Sequence, residues 1–213
     1  MRADIKPIKF DFSKREIDNN HNEYLNRLIF YNDFGYDHKN SRENIIKSIS
    51  TKPESILEIA SGKGYLTILL AKLVEKVVST DLDEGSLRYA AMNAAYENVL
   101  DKIELYQCDA NKLPFKDGAF DLVISSFAFH HFKDPFDILL RMIKLAKKEI
   151  IITDFNKNGF DIIDKVHEKE GRVHHQLNEP YFDSVGAYLE DNGLKVVEKS
   201  DKWQKMYIGK KIV

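Results

Sequence analysis

The sequence predicts a doubly wound α/β fold with a seven-stranded, mostly parallel sheet. From about Ser55 to Asp154, short β-branched runs alternate with longer stretches of helical period, which is typical of a parallel sheet flanked by helices. The runs are nearly continuous in Val, Ile and Leu, as expected for strands buried on both faces. Two further strand patterns follow Gly193 with no room for a crossover helix between them. These two strands must therefore pair antiparallel.

The parallel part of the sheet is predicted from five strand patterns. They are SILEIA (55–60), KVVSTD (76–81), KIELYQC (102–108), FDLVISS (120–126) and KEIIITD (148–154). The segments YLTILLAKLV, GSLRYAAMNAAYENV and DPFDILLRMIKLA lie between them and place apolar residues at helical spacing without internal proline. Asp134 is predicted to cap the last of these helices, because Pro135 then stands at its first position, where a missing N–H costs nothing.

Residues 1–50 are predicted to form a helical cap that belongs to the same domain as residues 51–213. Ser13 and Glu16 have the spacing of a capping box ahead of a helix, and Ser41 is predicted to cap a second one. We find no linker between the cap and the rest of the chain. The sequence therefore predicts one domain with an appended cap.

The C-terminal part is predicted to contain a helix followed by two strands. EPYFDSVGAYLEDNG has helical character and stops at Gly193, since glycine is favoured just past a helix end. LKVVEKS and KMYIG are the strand patterns that follow. They complete the count of seven strands.

Composition excludes several classes of protein. The 213 residues include 32 Lys and Arg against 34 Asp and Glu, a formal net charge of −2 at pH 7, so no global basic field attracts nucleic acid. The single cysteine, Cys108, excludes an intrachain disulfide and a multi-thiolate metal site. The sequence offers neither an apolar run of the ~20 residues that a membrane span needs nor a secretory signal. We therefore expect a cytoplasmic protein with no metal and no membrane contact.

The most informative segment is ILEIASGKGYLT, in which the acidic Glu58 precedes a tight turn through Gly62 and Gly64 into a helix. Glycines in such a turn let backbone N–H groups approach a ligand at the helix N-terminus. An ordinary strand-to-helix turn is the alternative when this segment is taken alone. The strands that follow decide between the two interpretations.

Two further acids stand at the ends of the next two strands. Asp81 ends the second strand, where nucleoside-binding folds accept hydrogen bonds from ribose hydroxyls. Asp109 ends the third strand. Together with Glu58, these side chains predict a ligand at the carboxyl edge of the sheet.

Other nucleotide and metal motifs fit the sequence poorly. A nicotinamide fingerprint would need glycine where Thr67 stands, and no G-x-x-x-x-G-K-[ST] phosphate loop exists. The run DLDEGSLRYAAM fails as a calcium loop, because Ser86 and Met92 occupy positions that need Gly and Glu.

The combination of motifs resembles the class I S-adenosylmethionine-dependent methyltransferases, in particular their type 11-like branch. The matching pieces are LEIASGKG, VVSTDLDEGSLRYA, CDANKLPFKDGAFDLVISSFAFHHF and the terminal strand pair. They cover roughly residues 55–155 and the C-terminus. The resemblance implies a Rossmann-like methyltransferase fold and S-adenosyl-L-methionine as the cofactor.

The resemblance also implies which residues hold the methionine end of the cofactor. Glu58 and the turn through Gly62 and Gly64 are expected to contact the methionine part, and Ser126 is expected beside its amino group. The family usually has glycine where Ala60 stands. The methyl group of Ala60 is therefore expected to narrow this part of the binding site slightly.

The nucleoside end is implied in the same way. Asp81 is expected to bind the ribose, and Leu82 is expected to lie on one face of the adenine. Asp109 and the backbone of Ala110 are expected to bind the adenine edge. No residue of this set is expected to bind a metal.

His130 and His131 are the candidates for acid–base catalysis. An imidazole with a pKa of ~6.5 can accept a proton from a hydroxyl or an amine at neutral pH. The methyl acceptor is expected over the ends of the fourth and fifth strands, near Phe127, Asp154 and Phe155. The alternative is that one of the two rings only packs the loop.

A second pair, His174 and His175, lies in the polar stretch EKEGRVHHQLN. This stretch is predicted to be a surface loop, with a substrate lid as the alternative.

The sequence favours a methyltransferase that modifies an O, N or C atom of a small molecule. One alternative is a tRNA or protein methyltransferase that uses the Lys-rich C-terminal strands, although the net charge disfavours a nucleic-acid partner. Another is a non-catalytic cofactor-binding module on the same fold.

Overall fold

The computed structural model describes residues 6–169, 171 and 179–212. The strands are β1 (Ile56–Ile59), β2 (Val77–Asp81), β3 (Ile103–Gln107), β4 (Phe120–Ser126), β5 (Ala146–Phe155), β6 (Leu194–Ser200) and β7 (Gln204–Lys211). The helices are α1 (Lys14–Asp33), α2 (His38–Ser48), α3 (Tyr65–Ala71), α4 (Glu84–Tyr96), α5 (Pro135–Leu145), α6 (Lys157–Lys169) and α7 (Val185–Asp191). Within these ranges, no helix combines the length and the apolar character needed to cross a bilayer. His174 and His175 lie outside the described residues.

The strands form a seven-stranded sheet in the order β3-β2-β1-β4-β5-β7-β6. Neighbouring strands from β3 through β5 pair parallel. β7 pairs antiparallel with both β5 and β6. The predicted fold class and the predicted antiparallel strand pair are both confirmed. Because β1 to β5 run in one direction, their carboxyl ends meet at one edge of the sheet.

Both faces of the sheet are covered, which explains the near-continuous apolar composition of its strands. On one face, Val123 and Ile150 pack with Leu139 of α5 and Leu189 of α7. On the other face, the core contains Ile124 together with residues of α2, α3 and α4, among them Ile45, Leu70 and Leu87. The cap helix α2 therefore contributes to the same core as the sheet.

The cap begins as predicted and then differs in one detail. Ser13 and Glu16 form a reciprocal capping box at the start of α1. The prediction that Ser41 caps the second helix is wrong, since α2 already begins at His38 and its N-cap is Asp37. The Asp37 carboxylate accepts a hydrogen bond from the N–H of Asn40 at 2.8 Å, and aspartate caps a helix as well as serine does. Ser41 lies buried inside the helix.

Two other helix ends need correction. Asp134 occupies the N-cap position of α5 with Pro135 after it, but its side chain makes no capping hydrogen bond. Only its backbone carbonyl takes part, accepting from the N–H of Ile138 at 3.3 Å. The predicted helix before Gly193 is divided into a 3-10 segment, Glu179–Ser184, and the α-helix α7.

Helix α6 follows β5 and joins the cap to the sheet. Phe160, Ile163 and Val166 of this helix pack with Tyr31 and Tyr36 of the cap region. The sequence showed no recognisable motif in this segment. Its apolar face packs against aromatic side chains of the cap region, a contact that only the folded structure reveals.

Candidate functional site

A cavity of about 520 Å³ opens at the carboxyl edge of β1 to β4. We call it the strand-tip cavity. Its lining includes all four residues expected at the nucleoside, two residues of the turn after β1, one residue expected near the acceptor and one of the two candidate histidines. In that order they are Asp81, Leu82, Asp109, Ala110, Ala60, Gly62, Phe127 and His131. Each of these residues lies on or just after a strand end. The fold therefore brings together residues from four separate strand tips.

The turn after β1 has the backbone geometry that its glycines permit. Gly62 and Gly64 have φ angles of 54° and 73°, in the left-handed region where glycine has no steric penalty. A Cβ atom on Gly64 would also lie 2.7 Å from the Cβ of Ala90, so this glycine lets α4 approach closely. The N–H of Gly62 donates to Asp81 Oδ2 at 2.7 Å. This bond ties the turn to the tip of β2.

Two residues that are not glycine share this left-handed conformation beside the cavity. Ala60 has a φ of 56° directly after β1, and Phe127 has a φ of 54° directly after β4. A residue with a Cβ pays about 1 kcal/mol for this conformation. The consequence of alanine at position 60 is therefore backbone strain, in addition to the expected narrowing by its methyl group. Strain of this kind concentrates at functional sites.

The two acids at the cavity keep part of their hydrogen-bonding capacity. Asp81 Oδ1 accepts from the N–H of Asp83 at 3.0 Å, in addition to the Gly62 contact of its other oxygen. Asp109 Oδ1 accepts from the N–H of Asn111 at 2.9 Å. An ionised carboxylate offers about four acceptor positions, so both side chains can accept further hydrogen bonds from a ligand.

Leu82 provides an apolar surface next to these acids. Its side chain is 70% exposed although it lines the cavity. An exposed leucine beside Asp81 provides an apolar surface on which a planar ring can pack.

Glu58 differs from the two other acids, because it lies behind the turn. It is 1% exposed and is absent from the described lining of the strand-tip cavity. Its carboxyl group accepts a hydrogen bond from Thr67 Oγ1. Burial raises its pKa to about 8, because desolvation disfavours the charged form. The glutamate therefore supports the turn mainly as a neutral carboxyl at pH 7.

Gly64 and Ser126 are likewise absent from the described lining. Gly64 is buried against α4, and Ser126 is half-buried at the end of β4. The cavity residues that the sequence analysis left without a site role include the polar residues Asn111 and Lys133. Asn111 lies within the motif segment that begins at Cys108, and Lys133 directly follows the end of that segment at Phe132, so their position after a strand was the available signal.

The two candidate histidines occupy different environments. His130 is 1% exposed, and its Nδ1 lies 2.8 Å from Asp154 Oδ1. Its backbone N–H also donates to Asp154 Oδ2 at 2.9 Å. His131 is exposed and lines the strand-tip cavity. The pair thus combines an anchored ring with one that reaches the cavity.

A cation from the cap lies against the same loop. The guanidinium carbon of Arg42 lies 4.9 Å from the ring centroid of Phe127 and 5.8 Å from that of Tyr65. Arg42 also donates to the carbonyl of His38 at 3.0 Å. Nothing in the local sequence of α2 indicates that Arg42 contacts this loop, because the contact depends on how the helix docks on the sheet.

Cys108 also lines the strand-tip cavity. Its pKa is raised to about 11, first by burial and then by the neighbouring carboxylates of Asp109 and Asp81. The thiolate is the nucleophilic form of cysteine, so this side chain acts as a packing group. Among the described residues, no group of His, Cys, Asp and Glu side chains suits a metal ion.

Comparisons with known proteins match the part of the chain that contains these strand tips. A family model described as a methyltransferase domain matches residues 57–153. The ubiquinone/menaquinone biosynthesis C-methyltransferase of Wigglesworthia glossinidia brevipalpis is 31% identical over 125 residues, which cover 56% of this chain and 50% of the relative. The demethylmenaquinone methyltransferase of Clavibacter sepedonicus is 29% identical over 168 residues, 68% of this chain and 67% of the relative. The match thus spans about half the length of the first relative.

Solved structures share the fold. A SAM dependent methyltransferase from Aquifex aeolicus has a TM-score of 0.65 at 22% identity, covering 95% of this chain and 100% of its own. The magnesium protoporphyrin IX methyltransferase of Synechocystis, solved with bound SAH, has a TM-score of 0.60 at 16% identity, with 96% and 89% covered.

The sequence matches and the shared fold make the chain similar to S-adenosylmethionine-dependent methyltransferases. The region of similarity to the methyltransferase domain family is residues 57–153, which contain the strand tips that line the cavity.

Proposed function

We propose that this chain transfers the methyl group of S-adenosylmethionine to an O, N or C atom of a small molecule. The observation that carries the proposal is the strand-tip cavity, in which a strained turn, two carboxylates and an exposed leucine converge on about 520 Å³. That volume lies within the range of ~300–1,000 Å³ typical of small-molecule sites.

In this proposal, the cofactor lies in the strand-tip cavity in one orientation. Its ribose would lie at Asp81, whose carboxylate has free acceptor positions, and its adenine would cover Leu82 next to Asp109 and the Ala110 backbone. Its methionine end would then lie at the turn after β1, towards Glu58, Gly64 and Ser126. When bound, the cofactor supplies a sulfonium whose methyl carbon is open to in-line displacement.

The residues of the chain act mainly by positioning the reactants, since alignment and exclusion of water account for much of the rate in such displacements. We assign His131 as the group that accepts the proton of the acceptor, because it lines the cavity. His130 is a positioning residue in this proposal. Its bonds to Asp154 hold the loop after β4 against the end of β5.

A small-molecule acceptor agrees with the names of two relatives, a ubiquinone/menaquinone biosynthesis C-methyltransferase and a demethylmenaquinone methyltransferase. The Lys-rich C-terminal strands support it as well. Lys205 is paired with Asp183 at 2.6 Å and with Glu198 at 3.5 Å, and Lys199 donates to Ser48 at 3.1 Å. These partners suit a solvated sheet edge better than a surface that binds RNA.

We also propose that residues 1–50 and 51–213 form one domain in the cytoplasm. Burial of Ile45 in the core of the sheet supports a single domain. The single free cysteine is compatible with a reducing compartment.

Isothermal titration with S-adenosylmethionine and with its demethylated product tests the cofactor assignment. We expect micromolar dissociation constants for both ligands. No heat of binding at millimolar ligand would contradict the proposal.

Methyl-tritiated cofactor and fractionated cell extract test the acceptor class. We expect the label in the small-molecule fraction. Label that precipitates with RNA or protein would favour a macromolecular acceptor, and absence of demethylated cofactor with every fraction would favour a non-catalytic module. With an acceptor in hand, His131→Ala should lower kcat, because the group assigned to accept the proton is then missing.

A further inference from the structure

A second cavity, of about 480 Å³, lies between α1, the turn after β1 and the C-terminal end of α6. We call it the cap cavity. It borders the same turn as the strand-tip cavity, because Gly62 lines one and the next residue, Lys63, lines the other. A molecule in the cap cavity would therefore lie against the turn at which the methionine end of the cofactor is proposed to bind.

The cap cavity has a strongly positive lining. Among the described lining residues, the cations Arg27, Lys63 and Lys169 stand against one acid, Glu23. The strand-tip cavity has the opposite balance of charges, with two carboxylates and one lysine among its described lining residues. A ligand with a carboxylate, sulfonate or phosphate group matches the cap cavity, because a cation and an anion form charge-assisted hydrogen bonds.

Contacts with aromatic rings hold two of these cations in place. Lys169 Nζ lies 4.9 Å from the ring centroid of Phe30, and Lys63 Nζ lies 4.6 Å from that of Tyr89. Arg27 Nε donates to Tyr31 Oη at 3.0 Å. The three cations thus come from three elements that are distant in sequence, and each is held by a neighbouring side chain.

The apolar part of the lining is aromatic. Tyr24 and Tyr65 stack with ring centroids 4.6 Å apart and an interplanar angle of 23°, and both line the cavity together with Phe30. Burial raises the pKa of Tyr65 to about 12, so its phenol remains neutral and does not repel an anion. A wall of this kind favours a planar ring, since aromatic groups pack by offset stacking or edge contacts.

We propose that the cap cavity binds a planar, anionic part of the methyl acceptor, and that the reacting atom of the acceptor extends past the turn to the side that His131 lines. The inference rests on the proposed methyltransferase function and adds the chemical class of its substrate.

Two fluorescent probes that share one ring system test the inference directly. 8-Anilinonaphthalene-1-sulfonate is planar and anionic, and N-phenyl-1-naphthylamine is the same skeleton without the sulfonate. We expect the full-length chain to bind the sulfonate at least about tenfold more tightly, because the cations of the cap cavity contact it. In the variant Arg27→Met/Lys169→Met, the dissociation constant of the sulfonate should rise at least about tenfold, whereas that of the neutral probe should stay within twofold.

A matched control removes two positive charges elsewhere. Lys195 and Lys210 face each other on β6 and β7, so Lys195→Met/Lys210→Met has the same change in net charge. We expect this variant to bind both probes as the original chain does. Circular dichroism of both variants checks that they fold.

Three results would overturn the inference. They are equal affinity for the two probes, sulfonate binding that survives Arg27→Met/Lys169→Met, and an equal loss of sulfonate binding in the control variant. Titration with S-adenosylmethionine is measured separately on the same samples. If the original chain shows the probe preference but does not bind S-adenosylmethionine, the proposed function is overturned. If it binds S-adenosylmethionine but shows no probe preference, only the acceptor class is overturned.

Discussion

The strand-tip cavity and the cap cavity lie on either side of one turn, yet they are built in different ways. The strand-tip cavity takes its residues from short segments directly after strands, as with Asp81 after β2 and Asp109 after β3. The cap cavity takes Arg27 and Lys169 from the faces of two helices that meet only in the folded protein. The first cavity is acidic and backed by a strained backbone, and the second is basic and aromatic.

This difference shows how one fold can separate the proposed site of the cofactor from the proposed site of the methyl acceptor. Strand tips have a position dictated by the sheet, so residues after them converge wherever the sheet forms. Helix faces are positioned by packing, so their polar residues can change without disturbing the core. The proposed nucleoside site thus belongs to the sheet, and the proposed acceptor site belongs to the cap.

The largest expected effect concerns Glu58, which supports the turn between the two cavities. Its folded-state pKa of about 8 lies above the ordinary value of 4.5, so its contribution to stability is complete below pH 4.5 and is lost as the pH rises towards 8. Glu58→Gln removes this dependence. The unfolding free energy of Glu58→Gln should therefore increase relative to that of the original chain. The expected increase is several kcal/mol between pH 4 and pH 9, at about 1.4 kcal/mol for each unit of pKa shift.

Urea unfolding of the ligand-free proteins at a series of pH values measures this difference. A difference that stays constant with pH would show that Glu58 is ionised behind the turn. Glu54→Gln is the control, because Glu54 is an exposed glutamate ahead of β1.

The next effect concerns the loop between β4 and α5, which forms one wall of the strand-tip cavity. Asp154 accepts from the backbone and the ring of His130 and from the N–H of Phe155. Asp154→Ala leaves these buried donors unsatisfied and should lower the unfolding free energy by about 3 kcal/mol. Asp134→Ala, in the same loop but without a capping bond, should cost less than about 0.5 kcal/mol. Equal costs in thermal or urea unfolding would mean that Asp154 does not anchor the wall.

Asp81 tests the nucleoside end of the strand-tip cavity. Asp81→Ala should weaken binding of S-adenosylmethionine by about 1–3 kcal/mol, because charge-assisted hydrogen bonds to the ribose are lost. Asp83→Ala is the matched control, since Asp83 caps α4 through the N–H of Ser86. It should change stability without changing affinity. Unchanged titration isotherms for Asp81→Ala would place the ribose elsewhere, and sulfonate-probe binding should be unaffected in both variants.

The smallest effect concerns backbone strain at the strand-tip cavity. Ala60→Gly should raise the unfolding free energy by about 0.5–1 kcal/mol, because glycine adopts the left-handed conformation without a steric penalty. Asn98→Gly provides the comparison, since Asn98 has the same φ of 56° in an ordinary turn and asparagine tolerates it. We expect the gain to be larger at Ala60 than at Asn98. A loss of stability in Ala60→Gly would mean that packing of the methyl group outweighs the strain.

Much of the fold was predictable because its signals are local. The predicted bounds of the fourth strand and of the first C-terminal strand coincide with β4 and β6, since both runs end abruptly in polar or turn residues. The error at Ser41 arose because Asp37 and Ser41 are both good capping residues, and propensity alone does not choose between them. The position of Asp81 and Asp109 at the cavity followed from the parallel sheet.

The sequence alone determined the sheet, its terminal strand pair and the acidic strand tips, because hydrophobic period and turn chemistry are properties of neighbouring residues. Only the tertiary structure decided that Glu58 is buried behind the turn, that His130 is anchored while His131 reaches the cavity, and that three cations meet beneath the cap. These facts depend on which surfaces pack together. Helical periodicity defines a face of α1 or α6, but only the docking of that face determines its neighbours.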